Sequence, residues 1–177
     1  TDAGQAQQLV ELFLPYLRVK STARGDRLKE HVIKLLRGLL RRVERPLQHV
    51  RALAVQFGTL RTREARSELC MAWQTLAEVS GGSEPPALGA VASALTELNA
   101  YSETQLDELD YDRRVDAYNT LPAVLDQLDA TLALPLLCQS IHDVELDDIA
   151  LKHSASHTIT LLVKHAAAQP EEKGAAQ

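Results

Sequence analysis

Histidines in the last third of the sequence have the spacing of a possible metal site. His153 and His157 lie four residues apart, so both could face one ion from a single helix, with His142 and His165 nearby. No Glu stands between them as in a zinc protease, and a zinc site needs further ligands. We therefore interpret these histidines as solvated helix residues and predict no metal site.

Carboxylates are the second group that could do chemistry. Five of them lie close together: Asp107, Glu108, Asp110, Asp112 and Asp116. They lack the spacing of a calcium-binding loop and lie near a predicted helix start, where negative charge complements the helix dipole. We interpret them as dipole-complementing and docking groups rather than as an acid–base site.

The sequence carries no motif of a known catalytic class. It has no P-loop, no dinucleotide-binding fingerprint, no Gly-x-Ser-x-Gly and no Cys-x-x-Cys. Cys70 and Cys138 are single thiols within predicted helices, which indicates core residues in a reducing compartment rather than nucleophiles. We expect no enzyme, no cofactor and no small-molecule substrate.

Basic residues are concentrated in the first half of the chain. Residues 18–66 contain fourteen Lys or Arg and four Asp or Glu, whereas residues 67–177 contain five and eighteen. This asymmetry indicates different partners for the two halves.

One predicted helix, residues 26–44, has a basic side and an apolar side. Its basic stripe consists of Arg27, Lys34, Arg37, Arg41 and Arg45. Its apolar stripe consists of Leu28, Val32, Leu35, Leu36, Leu39 and Val43. Like charges at helical neighbour spacing repel unless a partner relieves them, so we predict that the basic stripe contacts RNA phosphates. An acidic protein surface and bare solvent are the alternatives.

The wider composition predicts an all-α fold. With 177 residues, 45% of them apolar and 4% aromatic, the chain favours helices packed through Leu, Val and Ala. The apolar runs are too short to span a bilayer and no signal peptide is recognisable, so we expect no membrane contact. Because the chain begins with Thr1 rather than Met, we interpret it as a segment of a longer protein.

Eight helices are predicted, in four antiparallel pairs. Pairs over about residues 5–44, 46–79, 87–128 and 132–168 begin at offsets of 41, 41 and 45, the period of HEAT and armadillo repeats. Pro15 and Pro122 should disturb the first and sixth helices. We predict a HEAT/armadillo-like α-solenoid over residues 1–168 and a frayed tail at 169–177, with an irregular helical bundle as the alternative.

Residues 98–121 contain the end of the fifth predicted helix, a connector and the first part of the sixth, and we take this stretch as the centre of the chain's organisation. Asp110 is the predicted N-cap of the sixth helix, because its carboxylate can accept from first-turn amides. Tyr111, Val115 and Tyr118 then fall on one helix face.

The connector before that helix has apolar residues of its own. Tyr101, Leu106 and Leu109 are predicted to anchor it onto the neighbouring helices. We predict that the connector braces two helix pairs, with presentation of a surface as the alternative.

Several residues of this segment match a family pattern. They are Leu98, Asn99, Ala100, Tyr101, Leu106, Asp107, Asp110, Tyr111, Asp112, Arg114, Ala117 and Tyr118. The pattern resembles that of the small-subunit processome component 20 family, also called the down-regulated-in-metastasis family. With flanking stretches the resemblance spans about residues 44–165. Pro122 and the Arg-rich second helix depart from the family pattern.

The resemblance implies an internal segment of a very long, helical-repeat nucleolar protein that scaffolds the early small-subunit precursor. Members are not known as enzymes, so no catalytic residue is carried over. We expect a non-catalytic scaffold that binds pre-ribosomal RNA, small-subunit processome proteins and the remainder of its own solenoid. The alternative is a karyopherin-like or adaptor solenoid that binds peptide motifs without RNA.

Overall fold

The structure is a computed structural model that describes residues 2–80 and 87–168; the predicted tail and most of the loop at 80–86 lie outside this range. The described residues form nine α-helices and three short 3-10 helices, with no strand beyond one bridge between Tyr101 and Leu109. The α-helices are α1 (Ala3–Phe13), α2 (Ala23–Leu40), α3 (Val50–Ala54), α4 (Arg63–Val79), α5 (Ala87–Leu98), α6 (Tyr111–Thr120), α7 (Pro122–Leu125), α8 (Ala130–Val144) and α9 (Ile149–Ala168). The 3-10 helices are Leu14–Arg18, Pro46–His49 and Val55–Gly58.

The helices pack in neighbouring pairs along the chain. α1 packs on α2, α5 on α6 and α8 on α9, while α4 packs on the two 3-10 helices that flank α3. Contacts of α2 with α4, α4 with α5, and α6 with α9 join successive pairs. The predicted all-α, solenoid-like fold is confirmed. In addition α8 packs on α3, so the fourth pair also touches the second.

Two prolines end regular helix where the sequence predicts a disturbance. Pro15 lies in the 3-10 helix that follows α1, and Pro122 begins α7 after α6 ends at Thr120. Proline lacks the amide hydrogen that a continuing α-helix would use, so both helices change geometry at these points.

The bounds of α2 differ from the predicted range of 26–44. The helix begins earlier because Thr22 is its N-cap, with the hydroxyl accepting from the Gly25 amide at 3.0 Å. Only glycine fits at position 25, since a Cβ there would lie 2.1 Å from the Lys20 carbonyl oxygen. The helix ends at Leu40, and residues 41–45 form a turn and connector.

The buried face of α2 is rotated from the predicted apolar stripe. Leu28 and Leu35 are 41% and 51% exposed, whereas Asp26 and Lys29 are buried. One Asp26 oxygen accepts from the two backbone amides at 61–62, at 2.7 and 3.3 Å. This carboxylate ties the first turn of α2 to the start of α4, and the tie sets which side of α2 faces the core.

The apolar core is centred on α4. Ala65, Leu69, Trp73 and Leu76 are buried as predicted, and the Trp73 ring lies 6.2 Å from that of Phe57. Burial of a large side chain such as these contributes about 1.5–3 kcal/mol. None of the described helices is long and apolar enough to span a membrane.

Candidate nucleic-acid interface

The outer ridge of α2, defined here as Arg24, Arg27, His31 and Lys34, faces solvent. All four residues are exposed, and their spacing of three or four places them along one side of the helix. Arg27 and Lys34 belong to the predicted RNA-binding stripe. Arg24 lies before the predicted helix start, which is why the sequence analysis did not include it.

Arg37 and Arg41, also predicted RNA contacts, lean toward α4 and form ion pairs there. Arg37 lies 3.3 Å from the Glu68 carboxylate, and Arg41 lies 2.7 Å from that of Glu78. Both acids lie outside the predicted helix 26–44. Packing of α2 on α4 brings them to the basic stripe, and they neutralise part of the predicted basic surface.

Arg45 does not continue the stripe, because it lies after α2 and immediately before the 3-10 helix Pro46–His49. It remains exposed. Across residues 18–66, eight exposed cations have no acidic partner within the described part of the chain: Arg18, Lys20, Arg24, Arg27, Lys34, Arg42, Arg45 and Arg51. The positive charge of the first half is therefore largely available at the surface.

The connector between α5 and α6 is an ordered loop closed by backbone hydrogen bonds. The Ser102 amide donates to the Glu108 carbonyl at 2.8 Å, and the Asp110 amide donates to that of Ala100 at 3.2 Å. Asp107 has a φ of 58°, in the left-handed region that lets the loop turn back. Leu106 at its tip is 90% exposed, so the prediction that this residue anchors the connector is wrong.

Tyr101 anchors the connector through two cations. The guanidinium carbon of Arg63 lies 4.7 Å from the ring centroid and that of Arg114 lies 5.4 Å from it. Arg63 also pairs with Asp107 at 3.2 Å, so one α4 side chain holds both the ring and the loop tip. The connector thereby binds α4 to α6.

Arg66 lies at the centre of a buried polar network beneath the connector. Its Nε donates to Asn99 Oδ1 at 2.6 Å, and Nη2 donates to Gln139 Oε1 at 2.5 Å. Nη1 donates to the backbone carbonyls of Phe57 and Leu60 at 3.1 and 2.7 Å. These four bonds join α4, the end of α5, α8 and the 3-10 helix Val55–Gly58.

Asp143 on α8 is the carboxylate of the same network. It accepts from Tyr118 at 2.8 Å and from the Gln139 amide at 2.9 Å, and His142 Nδ1 lies 3.0 Å from it. Arg114 donates through Nε to the Ala100 carbonyl at 2.9 Å, and its Nη1 lies 3.8 Å from Asp143.

A comparison with known families identifies the chain. The family model described as U3 small nucleolar RNA-associated protein 20, N-terminal, matches residues 1–177, a wider span than the residues that carry the sequence resemblance. The chain belongs to this family. Membership implies a structural role in the small-subunit processome, in ribosome biogenesis in the nucleolus. No solved structure matches the chain.

The residues of the family pattern are mostly structural in this chain. Leu98, Asn99, Arg114 and Tyr118 are buried, the last three within the polar network. Asp110 caps α6 as predicted, accepting from the Arg113 amide at 3.1 Å.

Two further predictions about α6 agree with the structure. Tyr111 and Val115 pack against the core from one helix face together with Tyr118, as predicted. Asp112 is exposed in the first turn, where its charge complements the helix dipole.

Burial and hydrogen bonds shift the pKa values of the network in opposite directions. Burial alone would raise the pKa of Asp143, but the bond from His142 and the charge of Arg66 hold it below its ordinary value. Burial raises the pKa of Tyr118 well above its ordinary value, and the Asp143 charge adds to this shift. Burial lowers the pKa of His142 despite its bond to Asp143. Near neutral pH the network therefore holds an ionised Asp143, a phenolic Tyr118 and a neutral imidazole.

The structure also gives the surroundings of the histidines and cysteines that the sequence offered as possible metal ligands or nucleophiles. His153 and His157 are exposed, and the described residues contain no cluster of three or more His, Cys, Asp or Glu that could hold a metal ion. Cys70 is buried, and burial raises its pKa to about 12, so the thiol stays protonated. Cys138 is only half-buried, and burial raises its pKa as well.

Sequence reasoning missed Arg66, Gln139 and Asp143. Arg66 lies three residues before Leu69 and seven before Trp73, so helical spacing places it on the core face of α4. That spacing was the available signal. Its partners on α8 follow only from how the fourth pair packs.

Proposed function

We propose that this chain is a non-catalytic scaffold segment of the small-subunit processome that binds pre-ribosomal RNA and assembly factors. Family membership supports the processome role. The observation that carries the RNA-binding part is the set of eight exposed cations in the first half of the chain.

The outer ridge of α2 suits the phosphate backbone rather than the base edges. Arg24, Arg27 and Lys34 extend over about 15 Å of helix at a rise of 1.5 Å per residue. Long cationic side chains in a row can follow a chain of phosphates and release its counterions without reading sequence. Arg37 and Arg41 are secondary contacts, because RNA would have to compete with Glu68 and Glu78 for them.

Salt-dependent binding of structured RNA tests the ridge. We expect Arg27→Ala/Lys34→Ala to weaken binding and to reduce the slope of log K against log salt by roughly 1.4–1.8, the sum of two phosphate contacts. The matched control, Lys152→Ala/Lys164→Ala on α9, removes the same charge and should leave the slope near the wild-type value.

A second variant tests the ion pairs with α4. Arg37→Ala/Arg41→Ala should change the salt slope by less than the ridge variant does.

An unchanged slope and affinity in the ridge variant, with native circular dichroism, would contradict the RNA-binding proposal. It would favour a solenoid that binds proteins instead.

We also propose that further helical repeats of the same protein pack on the first helix pair. Large apolar side chains are exposed there: Leu12 on α1, Tyr16 on the 3-10 helix that follows α1, and Leu28 and Leu35 on α2. A spacing of seven residues places Leu28 and Leu35 on one side of α2. Solenoid repeats bury such sides against a neighbouring repeat.

A further inference from the structure

A cleft of about 460 Å³ lies where the N-terminal part of α2 meets the 3-10 helix Val55–Gly58. Its polar lining, which defines the Lys29 cleft here, consists of Arg18, Lys20, Ser21, Lys29, Gln56, Thr59 and Arg61. Leu17 and Val55 form apolar walls, and no carboxylate lines the cleft among the described residues. It contains four cationic side chains and two hydroxyls.

Lys29 is an unusual residue for the wall of a cleft, because only 2% of it is exposed. Its ammonium donates to Ser21 Oγ at 3.1 Å and to Thr59 Oγ1 at 3.4 Å. An ammonium has three hydrogens, so these neutral hydroxyls leave one donor. No carboxylate lies within ion-pair distance of Lys29 in the described part of the chain.

The charges around Lys29 leave it without a full counterion. Asp26 compensates its charge in part from beyond ion-pair distance: one Asp26 oxygen accepts from the amides at 61–62, and the other has no hydrogen-bond partner in the described part of the chain. Arg61 has its own partner, Glu145, at 2.7 Å, whereas Arg18 and Lys20 are exposed and have no acidic partner in this region. A largely desolvated cation that faces a cationic cleft is costly unless an anion joins it.

We propose that the Lys29 cleft binds a phosphate group, and that this group belongs to the backbone of the RNA bound by the exposed cations of residues 18–66. The remaining Lys29 hydrogen and the Ser21 hydroxyl are donors for such a group, and Arg18 and Lys20 flank them, whereas the Thr59 hydroxyl donates to Gln56. Arg18 and Lys20 belong to the eight exposed cations, whereas the outer ridge lies on the opposite side of α2 from Lys29. The assignment of this phosphate to RNA rests on the proposed function. The assignment of a phosphate site to the cleft does not.

The site is tested first without RNA. Sodium pyrophosphate is titrated into the chain at constant ionic strength while the side-chain resonances of labelled lysines are followed by NMR. We expect a saturable shift of the Lys29 resonance and no saturation for Lys152. Absence of saturation at Lys29, or an equal response to sodium acetate, would overturn the assignment of a phosphate site.

Variants on the surface of the cleft avoid disturbing the buried Lys29. Arg18→Ala/Lys20→Ala should weaken pyrophosphate binding about tenfold, as expected for the loss of charge-assisted bonds, and Ser21→Ala should weaken it as well. The matched control, Arg42→Ala/Arg51→Ala, should bind like the wild type. Equal pyrophosphate binding by Arg18→Ala/Lys20→Ala and by the wild type would overturn the assignment of the phosphate site to the Lys29 cleft.

A single-stranded RNA then tests the source of the phosphate. Competition of RNA with pyrophosphate at Lys29 would support a backbone phosphate. If RNA binds and the Lys29 resonance does not shift, the phosphate in the cleft does not come from the RNA backbone. The two proposals can fail separately. If the cleft binds pyrophosphate while Arg27→Ala/Lys34→Ala keeps the wild-type salt slope for RNA, RNA binding by the ridge is contradicted and the phosphate site is not.

Discussion

Arg66 shows how one residue can join three helix pairs. Its guanidinium donates to acceptors on α8, at the end of α5 and near the second pair, and it is only 1% exposed. Burial lowers the pKa of Arg66 while the charge of Asp143 opposes this shift. Every hydrogen bond of the side chain goes to an oxygen acceptor, and arginine keeps its proton in proteins, so the guanidinium is charged.

Removal of Arg66 should therefore be among the most destabilising substitutions in the chain. Arg66→Met leaves two carbonyls, Asn99 and Gln139 without their donor and the Asp143 charge less compensated, so we expect a loss of about 3–5 kcal/mol. Urea unfolding followed by circular dichroism measures the change. Arg41→Met is the control for a surface arginine and should cost about 0–1 kcal/mol, because its ion pair with Glu78 is exposed. A small effect at Arg66 would show that water can replace the network.

Two buried histidines should make stability depend on pH below neutrality. Burial lowers the pKa of His142 and of His49 below the ordinary 6.5. As pH falls through 6.5 the unfolded chain takes up protons that the folded chain does not, so the free energy of unfolding decreases. The decrease continues until each folded-state pKa is reached, with a maximum of about 1.4 kcal/mol per pH unit for each histidine. His142→Gln and His49→Gln should each flatten this dependence, measured by urea unfolding between pH 7 and 5. The exposed His153→Gln should not.

At the scale of elements, the connector is a brace between α4 and α6. Its two ends pair through the bridge between Tyr101 and Leu109, and Arg63 and Arg114 hold the Tyr101 ring. A bracing role fits these contacts, but the helices joined belong to the second and third pairs rather than to the third and fourth as expected, and the brace depends on Tyr101 rather than on all three predicted anchors.

Single substitutions should separate the anchors of the connector. Tyr101→Ala should cost about 2 kcal/mol and raise hydrogen exchange across residues 100–110, because the ring loses its packing and both cations. Tyr101→Phe keeps the ring and should be nearly neutral. Leu106→Ala should also be nearly neutral, since that side chain is 90% exposed. Equal exchange in Tyr101→Ala and in the wild type would show that the ring does not hold the loop.

At the scale of the whole molecule, apolar surface remains at the first helix pair. Leu9 and Phe13 are half-buried, and Leu12 is 60% exposed beside them. On α9 Ile159 is half-buried and Leu162 is buried. Leu162 joins the core cluster, so the inner side of α9 is covered.

The exposed side of the first pair should cause concentration-dependent self-association. Isolated from a neighbouring repeat, Leu28 and Leu35 would be covered by a second copy of the chain. Leu28→Ser/Leu35→Ser should shift sedimentation toward the monomer and reduce binding of a hydrophobic dye. Ile149→Ser/Val163→Ser on α9 is the matched control. A strictly monomeric wild type without dye binding would contradict this expectation.

Local patterns in the sequence determined the elements. Apolar spacing and proline positions predicted the helical pairs, the break after α1 and the end of α6, and Asp110 was recognisable as a cap. These features depend on neighbours within one helical turn, whose chemistry is written in the sequence. The concentration of positive charge in the first half is likewise a property of composition.

Tertiary structure decided which side of each helix is covered. Leu28 and Leu35 are exposed because α2 buries its Val32, Ile33, Leu36 and Leu40 side, and Asp26 ties that side to the start of α4. Arg37 and Arg41 form ion pairs with Glu68 and Glu78 only because α4 packs against α2. Lys29 faces a cleft, and Arg66 reaches Gln139, through contacts between segments far apart in sequence. Periodicity within a helix specifies an apolar side, but the position of the neighbouring helices selects which polar residues are buried with it.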